Sequence, residues 1–202
     1  SVRVAPSINI KLYIMLALVL FFVIGCCGAV LLGRLSDIVD YLLYIDKKTG
    51  LPNREKLNIY IGEMAGKVLP EAFTCFTLNL DNLSELTKRY GYTVGDGVLK
   101  DFAGLVQLMG DTEGMRGYNG IGRFVVFFEE CSSKKAAAMI RILDNQVEEY
   151  NSLNPEYPIR YTAAWATTEE TDTYEIRELL RLSQKKWKQM EKEKKDKTEE
   201  EP

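Results

Sequence analysis

The chain contains no histidine. This removes the commonest general base near neutral pH and the commonest zinc ligand. Cysteine is scarce, with four in 202 residues. Cys26 and Cys27 sit together inside an apolar run, and Cys75 and Cys131 lie far apart beside apolar sequence. None has metal-ligand spacing, and a domain of this size needs no disulfide framework, so a reducing compartment fits. Excess charge of one sign is also missing. Lys and Arg number 26 against 29 Asp and Glu, a net charge of -3. With no broad basic field, nucleic acid is not expected as a partner.

One stretch lacks charge altogether. Leu12 to Gly33 carries no charged side chain, and Lys11 and Arg34 bracket it. At about 1.5 Å per residue the run reaches roughly 30 Å, the hydrocarbon thickness of a bilayer. A single transmembrane helix is expected over residues 12–33, after an N-terminal flank of residues 1–11. Gly28-Ala29 has the look of a signal-peptide cleavage site, but the apolar run continues through Val30, Leu31 and Leu32. Arg3 and Lys11 precede the span, whereas Arg34, Lys47, Lys48, Arg54 and Lys56 follow it. The positive-inside rule then puts the C-terminal domain in the cytoplasm. The small residues Gly25 to Ala29 would allow close packing of a neighbouring helix. Because the first residue is Ser1, the sequence reads as a processed form or a piece of a longer protein.

Beyond the span, Leu35, Ile38, Leu42 and Leu43 recur at helical spacing, which predicts a connector helix over residues 34–45. DKKTGLPNR follows, with Gly50 and Pro52 as punctuation and Asn53 as an N-cap. Apolar runs at Phe73–Leu80, Phe124–Phe128 and Ile159–Ala166 predict buried strands, with a shorter one near Met115–Tyr118. Helices are expected at Leu83–Tyr90, around Phe102, after Ser132 or Ser133, and after Thr173, which is assigned as its cap. Gly91 to Gly97 reads as a turn. The Lys/Glu tail of residues 191–202 reads as a frayed, solvated end. Alternating strands and helices, with a tight glycine turn at Gly117–Gly122, predict an α+β sandwich whose mostly antiparallel sheet is flanked by helices.

These motifs resemble a known family. Asp46, Thr49, Gly50, Leu51, Pro52, Asn53 and Arg54 match the D-x-L-T-G-L-P-N-R signature that opens GGDEF (diguanylate cyclase) domains. Asn79 to Leu99, with Gly91, Gly95 and Asp96, is similar to the family's D-x-D-x-F-K-x-x-N-D-x-x-G-H-x-x-G-D segment. GIGRF at Gly120 to Phe124 falls where GGDEF itself stands. The resemblance implies a nucleotidyl-cyclase-like domain over residues 46–190 in a bacterial inner membrane protein.

The chemistry implied by that resemblance is eroded. Nucleotidyl cyclases gather divalent metal on converging carboxylates. The corresponding positions here are Asn79, Gly122 and Arg123, so anionic groups are lost and a cation is gained. Ser84 stands for the phosphate-binding Lys, and Thr87 for a guanine-contacting Asn; Asp96, the other guanine contact, is retained. Asp96 also reads as a simple helix cap, Arg123 as a solvated hairpin residue and Asp81 as a strand-end turn residue. The inhibitory product site would need R-x-x-D, but Asp111 and Gly114 occupy those two positions.

The expected function is that of a membrane-anchored, catalytically inactive GGDEF-like module. It would act as a regulatory, scaffolding or nucleotide-sensing domain in signalling or envelope assembly, with no metal or cofactor. Its partners would be the lipid bilayer, a protein partner or a second copy in a homo-oligomer, and GTP or cyclic di-GMP. An alternative is an altered or weakly active enzyme of the family, using Mg and GTP. A second is the C-terminal segment of an assembly similar to polysaccharide chain-length regulators, suggested by Pro6 and the apolar helix after it.

Overall fold

The computed structural model describes residues 10–110 and 114–200. Arg3, Pro6 and Asp111 lie outside them. The chain divides between Leu43 and Tyr44 into two units. Helix α1 (Ile10–Tyr44) supplies the described residues of the first and ends at the first residue of the second, so the expected span and connector are one uninterrupted helix. Its large apolar side chains from Leu12 to Leu43 are exposed, including Phe21 and Phe22. It is long and apolar enough to cross a membrane.

The second unit opens with the signature loop. The Asp46 carboxylate accepts from the Lys48 N–H at 3.1 Å, the Thr49 N–H at 2.9 Å and the Thr49 hydroxyl at 2.9 Å. Gly50 then turns at φ 71°, where a Cβ would be strained, and donates its N–H to the Asp46 carbonyl at 2.8 Å. Asn53 caps α2 (Arg54–Met64) by accepting from the N–H groups of Glu55 and Lys56.

Four strands follow: β1 (Thr74–Leu80), β2 (Gly114–Tyr118), β3 (Arg123–Phe128) and β4 (Tyr161–Thr167). They form one antiparallel sheet in the order β2-β3-β1-β4. Side chains alternate between its faces. Phe76, Leu78, Phe124 and Val126 face a core shared with Phe102 and Leu143. These two belong to α4 (Tyr92–Gln107) and α5 (Ser133–Leu153). Cys75, Val125, Phe127 and Ala166 face Leu57, Ile176 and Leu179 on the other side. Helical cover on both faces explains why RFVVFF reads as a continuous apolar run rather than an alternating one. The unit is therefore an α+β sandwich, as expected.

Four local expectations are corrected. The segment Gly91–Gly97 is not a turn. Only Gly91, at φ 88°, separates α3 (Leu83–Tyr90) from α4. Gly95 is instead a crossing point, because a Cβ there would sit 2.3 Å from the Thr87 Oγ1. Asp96 therefore lies inside α4 and caps nothing. The N-terminal turn of the last helix is held by Glu175, whose carboxylate accepts from the Glu178 N–H at 2.8 Å, rather than by Thr173. That helix, the seventh after the short α6 (Thr168–Thr171), is α7 (Ile176–Glu200), so the charged tail continues as helix through Glu200.

Candidate functional site

The site forms where β1 and β3 end together. Asn79 pairs with Arg123 on one side and with Thr162 on the other. The β2–β3 hairpin returns through Gly120, Ile121 and Gly122, at φ 83°, 53° and 73°. Glycine tolerates this conformation; the β-branched Ile121, 85% exposed, does so under strain. The hairpin is locked to the sheet by the Leu80 N–H donating to the Gly122 carbonyl at 2.8 Å.

Beside this turn lies a cavity of about 420 Å³ that brings together Asn79, Ser84, Thr87 and Arg123, all singled out by sequence. Asp96 is not among its lining residues; its carboxylate accepts from the Lys48 ammonium at 2.8 Å, tying the signature loop to α4. That hydrogen bond holds the Lys48 amine above its usual pKa. Gly91 and Gly95 shape the α3–α4 corner behind the cavity rather than its surface.

Sequence reasoning missed the far wall, which is built by α7. Trp187 and Glu191 line the cavity from that helix, and the Arg123 guanidinium lies over the Trp187 ring at 5.4 Å from its centroid. Arg123 is therefore not merely a solvated hairpin residue. The buried Trp187 indole N–H has no hydrogen-bond partner. Trp187 was legible as an inward residue of an amphipathic helix; its meeting with Arg123 was not.

The donor set at the strand end does not fit a catalytic metal. Asp81 carries the retained carboxylate, but both its oxygens are committed. Oδ1 accepts from the Asn79 side-chain amide at 2.9 Å, and Oδ2 from the Thr162 hydroxyl at 2.6 Å. The Lys194 ammonium stands 3.5 Å from Oδ2. Among the described residues, no group of three or more Asp, Glu, Cys or His side chains converges to hold a metal ion. The Arg123 cation flanks the same strand end. The cavity can offer cations and hydroxyls to an anionic ligand, and its two carboxylates, Asp81 and Glu191, belong to no group of three or more acids that could hold a metal ion.

On the other side of Asp81 is an open cleft of about 710 Å³. There Glu85 pairs with Arg160. Asn82, almost fully buried, donates to the Pro158 carbonyl at 2.7 Å and accepts from the Arg160 N–H at 3.1 Å. These bonds fix the end of β1 against the chain entering β4.

The sequence model described as "Diguanylate cyclase, GGDEF domain" matches residues 43–197. Among solved structures, the coiled coil and GGDEF domain of DgcB from Caulobacter crescentus, in complex with c-di-GMP, superposes with a TM-score of 0.61. It is 15% identical and covers 74% of this chain and 82% of its own. A diguanylate cyclase/phosphodiesterase from Caldicellulosiruptor saccharolyticus gives 0.58 at 19% identity, covering 75% of this chain and 91% of its own. The FimX GGDEF domain from Pseudomonas aeruginosa gives 0.57 at 18% identity, covering 70% and 90%. No curated protein matches. The family match over most of the chain and the shared architecture agree with the signature loop and the hairpin, and the chain belongs to the diguanylate cyclase GGDEF-domain family.

Proposed function

We propose that this chain is a membrane-anchored, catalytically inactive GGDEF module that acts by binding rather than by turnover. One observation carries the reading. The strand-end positions that would gather metal hold Asn79, Gly122 and Arg123, and the remaining carboxylate, Asp81, spends both oxygens on internal hydrogen bonds. Cyclisation needs a ribose hydroxyl activated beside a metal-bound α-phosphate. With Asn79, Gly122 and Arg123 where the family's metal-binding acids would stand, that step has no support here.

The cavity still suits a phosphorylated ligand such as GTP or cyclic di-GMP. Arg123 and Lys88 supply positive charge, and Ser84 and Thr87 supply hydroxyls. DgcB was solved with c-di-GMP, and the same nucleotide chemistry is the ligand class proposed here. The apolar helix α1 supports anchorage in a bacterial inner membrane, and the basic residues after its apolar run Leu12–Gly33, from Arg34 to Lys56, support a cytoplasmic domain. A second copy or a protein partner would receive the signal.

Calorimetric titration of the full chain in detergent with GTP, with and without magnesium, tests the reading. The expected affinity is the same in both. Binding that tightens markedly with magnesium would contradict it and favour an enzyme of altered chemistry.

A further inference from the structure

A second, smaller cavity of about 110 Å³ lies between α7 and the sheet. Gln184, Trp187 and Lys188 line it from α7, where spacings of three and four residues put them on one helix face. Thr77 lines it from β1, with its hydroxyl already paired to Ser183 at 2.7 Å. Asn119 and Arg123 close it at the hairpin, tied together by the Asn119 N–H donating to the Arg123 carbonyl at 2.8 Å. The lining therefore holds two cations and no acid. Among the described residues neither cation has a carboxylate partner. Trp187 is only 6% exposed, and its indole N–H is buried without an acceptor. Buried donors are almost always satisfied, so one that is not calls for an occupant nearby. The space is below the roughly 300 Å³ at which sites for drug-sized molecules begin, so a whole nucleotide does not fit.

We propose that this cavity binds one small oxyanion of the phosphate type. Arg123 offers the planar fork that matches two oxygens of a tetrahedral anion, Lys188 a point charge, and Trp187 a neutral N–H. Arg123 and Lys188 are exposed at the rim, and exposed cations alone contribute little. The assignment rests on their meeting a buried, unpartnered donor in a small space that contains no competing acid. Arg123 and Trp187 line the larger cavity as well. The five N–H donors of the guanidinium allow Arg123 to serve a ligand on either side. The site goes beyond the nucleotide reading and does not rest on it. Its oxyanion has two sources, free inorganic phosphate or a phosphoryl group of a nucleotide held next door.

The test is calorimetric titration of the full chain in detergent with inorganic phosphate, at an ionic strength held constant by chloride. The inference expects saturable binding of one phosphate per chain, with sulfate competing. Lys188→Gln should weaken it at least about fivefold. Trp187→Phe keeps a ring beneath Arg123 and removes only the N–H, so it should weaken binding about two- to tenfold. Lys185→Gln removes the same charge from an exposed position on α7 outside the lining and should change nothing. Circular dichroism checks the fold of each variant; Lys188 is exposed, so K188Q keeps the test open even where W187F fails to fold. Absence of saturable binding, an unchanged affinity in K188Q or in folded W187F, or an equal loss in K185Q would overturn the inference. Repeating the titration with GTP present identifies the source: unchanged phosphate binding assigns free phosphate, competition assigns the nucleotide's own phosphoryl group, and either upholds the site. Synthesis of cyclic di-GMP by wild type would contradict the proposed function and leave the phosphate titration as it is, so the two failures are distinguishable.

Discussion

At the scale of single residues, the chemistry of the site and the keeping of shape fall on the same positions. Gly122 shows how closely they are coupled. A Cβ at this position would meet the Leu80 carbonyl oxygen at 3.1 Å, with the backbone at φ 73°. Gly122→Asp therefore does not simply return an acid to the site. It should lower stability by about 1–3 kcal/mol in thermal or urea denaturation, the usual range for a strained backbone position. Asn53→Ala removes the acceptor for two N–H groups at the start of α2 and should cost about 1 kcal/mol by the same measurement. Two tyrosines set an alkaline limit. Burial, and then hydrogen bonding to Asp144, raises the Tyr161 hydroxyl pKa; burial and then Asp101 do the same for Tyr150. A group whose folded pKa is raised contributes stability that is complete below its unfolded value and lost as pH rises toward the folded one. The midpoint of thermal unfolding should therefore be insensitive to these groups below pH 10.0 and fall above it. Tyr161→Phe should blunt the fall.

At the scale of elements, the sheet carries the fold and α7 completes the site. Phe102 on α4 is fully buried, with its ring 5.3 Å from that of Phe124 on β3. Phe102→Ala should cost about 3–5 kcal/mol in denaturant unfolding, because the cavity it leaves lies at the centre of the larger core. Much of this level was legible in the sequence. The runs at Phe73–Leu80 and Phe124–Phe128 read as buried strands, and DKKTGLPNR carried its own turn chemistry in Asp46, Gly50 and Asn53. What was not legible depends on contacts between distant segments. Gly95 suggested a turn because glycine usually breaks helices, yet here it lets α3 and α4 cross. The Lys/Glu run after Met190 has no apolar period of its own, so its helix and the reach of Lys194 emerge only once Trp187 is docked on the sheet. Likewise, Asn79 and Arg123 were readable as lost acids, but their pairing across β1 and β3, and the stacking of Arg123 on Trp187, belong to register.

At the scale of the whole molecule, an apolar helix precedes a domain of the GGDEF family that carries Asn79, Gly122 and Arg123 where β1 ends and β3 begins. The proposed orientation makes its own prediction. Lys100 is exposed on α4, so a Lys100→Cys variant should react with a membrane-impermeant maleimide only after the cells are opened. Labelling of intact cells or spheroplasts would reverse the topology. The central claim, fold kept and metal chemistry removed, is tested most directly by incubating the purified full-length protein with GTP and magnesium and analysing the products by mass-resolved chromatography. The account predicts that GTP remains and no cyclic di-GMP forms over a time in which an active GGDEF protein converts its substrate. Sustained, protein-dependent production of cyclic di-GMP would contradict it.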